Sequence, residues 1–198
     1  MKRDYVLVLD RSGSMSDPVR SGSSQTRWDA AQEATLAVAR ECAKLDPDGI
    51  DVYTFGTKFQ RFQNTTPDKV GEIFNQVSPA GGTDFVPVLS DVFAEHFKKA
   101  ARPTTVLVVT DGAPSEGPAG QAALAKLIVA TSNKLEADAE LAVQFIQIGQ
   151  DPNATTFLRK LDDDLVKAGA KYDIVDSKTS EDLENMTITQ MLLAAVND

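Results

Sequence analysis

The sequence predicts a single α/β domain, covering residues 1–198, built on a mainly parallel sheet. Short apolar runs alternate along the chain with longer segments of helical period, a pattern typical of βαβ units. Two of the runs, at residues 4–10 and 104–110, are apolar almost throughout, which is typical of central strands covered by helices on both faces. A length of 198 residues suits one such domain.

Six runs are predicted to be strands, at residues 4–10, 50–55, 59–62, 104–110, 140–148 and 172–175. The segment between the first two strands has a helical period, because its buried-type side chains recur at spacings of three and four. This stripe consists of Trp28, Ala31, Thr35, Val38, Cys42 and Leu45. Trp28 is therefore expected in the core rather than on a ligand-binding surface, and Cys42 is expected to be a buried thiol.

Further helices are predicted at residues 68–77, directly after Thr83, and at residues 118–137, 153–168 and 179–195. In the helix after Thr83, Asp84 suits the N-cap position, where its carboxylate can accept a backbone N–H. The buried face of this helix is expected to comprise Phe85, Val88, Leu89, Val92, Phe93 and Phe97. His96, the only histidine, is expected to be exposed near the end of the helix and not to act as a general base.

The composition excludes several classes of partner. The chain carries 29 acidic and 20 basic residues, a net charge of −9, which argues against binding to nucleic acid, where clustered Lys and Arg are needed. Cys42 is the only cysteine, so no disulfide can form within the chain and a reducing compartment fits. No apolar stretch approaches the ~18 residues of a membrane span, and the first residues lack a signal peptide's apolar segment, so we expect a cytoplasmic protein without membrane contact.

Three short segments of the chain carry side chains with oxygen donors. Asp10, Ser12 and Ser14 stand at the end of the first apolar run, Thr83 follows a pair of glycines, and Asp111 stands at the end of the fourth run. In an open α/β sheet, loops at the carboxyl ends of two neighbouring strands diverge and leave a crevice between them. We therefore expect these five residues to converge on one cation.

The donor types indicate which cation this would be. Oxygen ligands without a nearby Cys or His select a hard ion, so we expect Mg²⁺, with Mn²⁺ or Ca²⁺ as substitutes. Asp10 and Asp111 together neutralise a divalent ion, while the hydroxyls add no charge. The bound ion would therefore stay electrophilic enough to accept a carboxylate from another protein.

The chain resembles the von Willebrand factor A domain with its metal-ion-dependent adhesion site, and the residues that carry the resemblance are Asp10-x-Ser12-x-Ser14, Gly-Gly-Thr83 and Thr-Asp111-Gly. The resemblance extends over about residues 4–195. It implies a three-layer Rossmann-like fold with helices on both faces of a six-stranded sheet of order 3-2-1-4-5-6. The short antiparallel edge strand of that sheet would be the run at residues 59–62.

The same resemblance implies roles for the site residues. Ser12 and Ser14 would bind the cation directly, and Asp10, Thr83 and Asp111 would bind it directly or through water. An Asp or Glu of a partner protein would supply the last ligand, an exchange that related domains can couple to movement of the C-terminal helix, here residues 179–195.

The resemblance is strongest to stand-alone intracellular members of the family in bacteria and phages, which assemble with other proteins. Relatives that bind a second cation have two consecutive acidic residues shortly after the serines, whereas this chain has Asp17 followed by Pro18. A second cation near Asp17 therefore stays open, as does the oligomeric state.

Two other functions stay open on the residues alone, a phosphoryl-transfer enzyme and a domain whose cation is purely structural. A Mg²⁺-dependent phosphoryl-transfer enzyme of the haloacid-dehalogenase type also starts with an aspartate at a strand end, but it needs a second acid two residues later, where this chain has Ser12. A serine hydrolase is disfavoured because residues 11–15 do not form Gly-x-Ser-x-Gly. The remaining alternative is a cation with a purely structural role. Of these, a binding module that is not an enzyme is the function we expect.

Overall fold

A computed structural model describes residues 3–45, 49–99, 102–179 and 190 of the chain. The helix predicted at residues 179–195 lies outside the described residues except at Thr179 and Gln190. None of the helices within the described ranges is both long enough and apolar enough to cross a membrane.

The described strands form one six-stranded sheet. They are β1 Asp4–Asp10, β2 Ile50–Phe55, β3 Phe59–Thr65, β4 Thr104–Thr110, β5 Leu141–Gln147 and β6 Val175–Lys178. Their order is β3-β2-β1-β4-β5-β6, and among them only the pair of β2 and β3 is antiparallel. This confirms the predicted sheet order and the antiparallel edge strand. β3 continues three residues beyond its predicted end, because Thr65 pairs with Ile50 after a shift of register.

The two central strands end side by side. In the parallel pairing of β1 with β4, Leu9 lies opposite Val109. Asp10, the last residue of β1, and Asp111, the first residue after β4, therefore lie at the same end of the sheet, which is the carboxyl end of both strands. All of β4 and the last five residues of β1 are buried, as their apolar sequences predict.

Helices cover both faces of the sheet. The described ones are α1 Arg27–Leu45, α2 Pro67–Gln76, α3 Phe85–Lys98, α4 Pro118–Ser132 and α5 Pro152–Asp164. Val6 and Val8 belong to a core shared with α3, α4 and α5, whereas Leu7 and Leu9 belong to a core shared with α1 and α2. Successive residues of β1 thus face opposite sides of the sheet, as its pleat requires, and the protein has three layers.

The stripe of α1 is buried as predicted from Trp28 to Cys42. Trp28 is 8% exposed, and its ring centroid lies 4.7 Å from that of Phe74 in α2. The side chain of Cys42 is fully buried, as predicted. Both residues are therefore part of the packing between the two helices and the sheet.

The end of α3 differs from the prediction. Phe97 is 38% exposed rather than buried, and His96 is half-buried rather than exposed, with its Nδ1 atom 2.8 Å from the Thr104 hydroxyl. The reason is the helical period, because the buried positions Phe85, Leu89 and Val92 continue at 3.6 residues per turn to position 96. His96 therefore takes the inward position that was predicted for Phe97.

The last elements are shorter or later than predicted. α4 ends at Ser132 instead of residue 137, α5 ends at Asp164 instead of residue 168, and β6 begins at Val175 instead of residue 172. The backbone of Tyr172 is hydrogen-bonded to the side chain of Ser132 and not to β5. The Tyr172 N–H donates to Ser132 Oγ at 2.8 Å, and the Tyr172 carbonyl accepts from the Ser132 hydroxyl at 3.0 Å. Pairing with β5 can therefore begin only after these bonds.

Candidate metal centre

Asp10, the last residue of β1, is fully buried. Its Oδ1 accepts a hydrogen bond from the Ser12 backbone N–H at 2.7 Å, and its Oδ2 accepts one from the Thr110 hydroxyl at 2.6 Å. Burial raises the pKa of Asp10 to about 6; the hydrogen bonds from Thr110 and Ser12 oppose this effect, and the Asp111 carboxylate adds to it. A positive charge beside Asp10 would stabilise its ionised form.

The hydroxyls of Ser12 and Ser14 converge on one oxygen of Asp111. Ser12 Oγ lies 3.4 Å and Ser14 Oγ lies 3.0 Å from Asp111 Oδ1, and the two hydroxyl oxygens are 3.2 Å apart. A short 3₁₀ helix at Gly13–Ser16 gives the chain this path, and the fully buried side chain of Met15 anchors it in the core. Ser12 and Asp111 are buried while Ser14 is exposed, so the cluster opens to solvent on the Ser14 side.

The loop that carries Thr83 is bonded to the loop that carries Ser12 and Ser14. The Gly13 N–H donates to the Gly81 carbonyl at 3.1 Å, which ties the loop before α3 to the loop after β1. Gly81 has a φ of +83°, and a Cβ there would lie 2.8 Å from Thr57 Oγ1, so this position requires glycine. Thr83 is buried, and its backbone N–H donates to Ser115 Oγ at 2.8 Å. The structure therefore links Asp10, Ser12, Ser14 and Asp111 by direct hydrogen bonds, whereas Thr83 is connected to them through its loop, by the bond between Gly13 and Gly81.

The site contains a cationic residue that is absent from the predicted ligand set. Arg27, the first residue of α1, places Nη1 2.5 Å from Asp111 Oδ2 and 3.3 Å from the Ser14 carbonyl. A basic residue in the first turn opposes the helix dipole, and this is the signal by which the sequence could have marked it. The Thr110 hydroxyl was also missed, although it lies in the Thr-Asp111-Gly motif.

The donor set suits a hard divalent cation. Two carboxylates and three hydroxyls supply oxygen only, and the Arg27 contact shows that a positive charge is accommodated at Asp111. Within the described ranges, no group of three or more His, Cys, Asp and Glu side chains is arranged to hold a metal ion. The candidate site itself contains only two carboxylates, and its other three donors are hydroxyls.

The sequence matches a family model described as the von Willebrand factor type A domain over residues 5–113, a region that contains all five candidate residues. The mouse von Willebrand factor A domain-containing protein 5A is 28% identical over 124 residues. That match covers 57% of this chain and 15% of the mouse protein, so most of the relative's length has no counterpart here.

Solved structures show the same fold at low identity. The PilB minor pilin from Streptococcus sanguinis matches with a TM-score of 0.69 at 13% identity. The matched region covers 98% of this chain and 60% of the pilin chain. The manganese-loaded TRAP protein of Plasmodium vivax matches with a TM-score of 0.59 at 17% identity. The matched region covers 97% of this chain and 74% of the TRAP chain. The match to the family model spans more than half of the sequence, and the sheet order agrees with it. The chain belongs to the von Willebrand factor type A domain family.

Proposed function

We propose that this protein is a divalent-cation-dependent protein-binding module. The cation, for which we propose Mg²⁺, would be held by Asp10, Ser12, Ser14, Thr83 and Asp111. When bound, the ion supplies an electrophilic centre that accepts an Asp or Glu carboxylate of a partner protein. The observation that carries the proposal is the convergence of both serine hydroxyls on one oxygen of the buried Asp111 carboxylate, at 3.4 and 3.0 Å.

The choice of cation rests on donor chemistry. Mg²⁺ prefers oxygen ligands and often keeps several waters, and Mn²⁺ or Ca²⁺ can occupy similar sites. The manganese-loaded state of the Plasmodium vivax protein supports a divalent ion in a domain of this fold. Because its identity to this chain is only 17%, the ligand set proposed here rests on the present geometry.

The charge of the site favours an acidic partner. The carboxylates of Asp10 and Asp111 balance a divalent ion, and the charge of Arg27 is offset by the exposed Asp17 carboxylate 3.8 Å away, so the site would carry no net negative charge to repel an incoming carboxylate. Ser14 is exposed, so an incoming carboxylate has access from that side. The overall charge of −9 would at the same time disfavour non-specific contact with other acidic surfaces. We propose that such a partner belongs to a cytoplasmic multi-protein assembly and that the whole chain acts as one domain.

The position of Asp10 disfavours phosphoryl transfer. A nucleophilic aspartate needs a carboxylate oxygen that can reach the substrate. Asp10 is fully buried, and the Ser12 N–H and the Thr110 hydroxyl each bind one of its two oxygens. Asp10 is therefore better placed to position the Ser12 backbone and a bound ion than to attack a substrate.

A capture experiment with matched serine variants tests the proposed function. The protein is immobilised and exposed to an extract of its native host, once with Mg²⁺ and once with a chelator. We expect one or more proteins to be retained only with Mg²⁺, and to be lost with Ser14→Ala. Ser16→Ala is the matched control, because Ser16 is an exposed serine of the same 3₁₀ helix.

The retained partner is then tested for an acidic ligand by replacing its Asp and Glu residues singly with Asn and Gln. Retention that survives every such substitution, or that persists in chelator, would contradict the proposal. Hydrolysis of an aryl phosphate that requires Mg²⁺ and is lost in Asp10→Asn would instead support the phosphoryl-transfer alternative.

A further inference from the structure

We propose that Arg27 is a built-in counter-cation of the metal site, which competes with the divalent ion for Asp111 and sets how much metal the site needs. The inference rests on the proposed metal site and adds a residue that opposes metal binding. It explains why a guanidinium contacts a carboxylate that we assign to the ion.

The contacts place the charge of Arg27 on the predicted ligands themselves. Nη1 lies 2.5 Å from Asp111 Oδ2 and 3.3 Å from the Ser14 carbonyl, and the exposed Asp17 carboxylate is 3.8 Å away. The Asp111 side chain is 1% exposed and that of Arg27 is 18% exposed, so water screens this pair little. The ion and the guanidinium would therefore contend for one buried carboxylate.

The space around the guanidinium is made by a glycine. Gly149 has a φ of +84°, and a Cβ at that position would lie 2.7 Å from Arg27 Nε and 3.0 Å from Cζ. The Nε atom is buried and has no hydrogen-bond partner among the described residues. Arg27 thus lies in a close-fitting cradle, but the fixed contacts of its guanidinium are on the side of Asp111 and Ser14. Loss of the Asp111 contact would leave few other bonds to hold it in place.

The position of Arg27 in α1 supports an electrostatic role. As the first residue of the helix it opposes the helix dipole, which favours acidic side chains at this end. Asp29 meets that preference instead, since its carboxylate accepts from the Thr26 backbone N–H at 2.9 Å and from the Thr26 hydroxyl at 2.7 Å. The helix end is therefore capped without Arg27, which leaves its guanidinium available to neutralise Asp111.

Two roles for Arg27 predict metal affinities that change in opposite directions. If Arg27 only positioned Asp111 for the ion, its loss would weaken metal binding. If Arg27 competes with the ion, its loss would strengthen metal binding, because the ion would no longer displace a bound cation or share a carboxylate with it. Metal affinity, measured without any partner protein, therefore separates the two roles.

The test compares Mn²⁺ binding to the full chain by calorimetry or electron paramagnetic resonance in Arg27→Gln, Arg27→Lys and wild type. Arg40→Gln is the matched control, because it removes one exposed positive charge from the same helix far from the site. We expect Arg27→Gln to bind Mn²⁺ at least about tenfold more tightly than wild type, since a poorly screened charge is removed. Arg40→Gln should stay within about twofold of wild type, because exposed charges at that distance are screened. Arg27→Lys, which keeps the charge, should lie between wild type and Arg27→Gln.

Unchanged or weaker Mn²⁺ binding by Arg27→Gln would overturn the inference and leave the proposed function intact. Saturable binding by Arg27→Gln but not by wild type would support the inference and contradict the proposed function. No saturable binding by either protein would overturn both. A second measurement follows the wild-type protein itself as the metal is added. The Arg27 Nε–H resonance, identified by its loss in Arg27→Lys, should shift saturably as Mg²⁺ is added, and no shift at metal saturation would overturn the inference.

Discussion

Replacing Asp10 with Asn should stabilise the metal-free protein at neutral pH. Burial raises the pKa of Asp10 from its ordinary 3.8 to about 6, so the folded protein holds its proton more tightly than the unfolded chain does. Below pH 3.8 the residue is protonated in both states and contributes no difference. Between pH 3.8 and about 6 only the unfolded state ionises, so stability falls as the pH rises, and above about 6 the full penalty applies.

The size of the effect follows from the same two pKa values. The interval between 3.8 and about 6 corresponds to about 3 kcal/mol of unfolding free energy above pH 6, at ~1.4 kcal/mol per pH unit. The amide of Asn keeps one acceptor for the Ser12 N–H. Its N–H group can donate to the Thr110 hydroxyl, which can in turn donate to the Gly112 carbonyl at 3.3 Å. The substitution therefore removes the charge and keeps one hydrogen-bond partner for each of the two side-chain polar atoms.

The assay is thermal or urea unfolding of wild type and Asp10→Asn, with a chelator present, at pH 4, 6 and 8. The two proteins should be nearly equally stable at pH 4, and the variant should be more stable at pH 8 by about 3 kcal/mol, or about 6–12 °C in Tm for a domain of this size. Mn²⁺ should raise the Tm of wild type but not that of the variant. A variant less stable than wild type at pH 8, or a difference that does not change with pH, would refute the reasoning.

Three further predictions concern residues outside the proposed ligand set. Phe85→Ala should lower the unfolding free energy by about 3–5 kcal/mol, because this buried ring contacts three other aromatic rings whose centroids lie 5.0–6.3 Å away. A loss below about 1 kcal/mol in urea unfolding would contradict that packing. Gly81→Ala should lower the unfolding free energy by roughly 1–3 kcal/mol and weaken Mn²⁺ binding, because the new methyl group would meet Thr57 at a positive φ and displace the loop that carries Thr83. Wild-type Mn²⁺ affinity in this variant would count against the role of that loop. His96 should titrate below its ordinary pKa of 6.5 in a proton NMR titration, because burial lowers the pKa, so its contribution to stability is lost as the pH falls below about 6.5. A pKa at or above 6.5 would contradict the dominant effect of burial.

The sequence was sufficient where local pattern and tertiary structure agree. The runs that became β1 and β4 are apolar at nearly every position, so their place in the middle of the sheet could be predicted, and with it the approach of Asp10 to Asp111. The stripe of α1 that contains Trp28 and Cys42 was also readable, because a period of 3.6 residues identifies a buried face without knowledge of what covers it.

The features that were missed depend on contacts between distant parts of the chain. Arg27 and Asp111 are 84 positions apart, and no spacing rule relates the first turn of a helix to the end of a strand that follows it much later. The start of β6 is delayed by bonds between Tyr172 and Ser132, which are 40 positions apart. His96 and Phe97 were exchanged for a different reason, since two adjacent positions at the end of an apolar stripe differ by only about 100° around the helix.

The most direct test of the central claim is a crystal structure of the protein grown with Mn²⁺, with anomalous diffraction recorded at the manganese absorption edge. We expect one strong anomalous peak per chain between Asp10, Ser12, Ser14, Thr83 and Asp111, with both serine hydroxyls at bonding distance from the ion. The Arg27 guanidinium should lie further from Asp111 Oδ2 than the 2.5 Å seen here. No peak in this cluster at saturating Mn²⁺, or a peak only elsewhere on the protein, would contradict the proposed metal site.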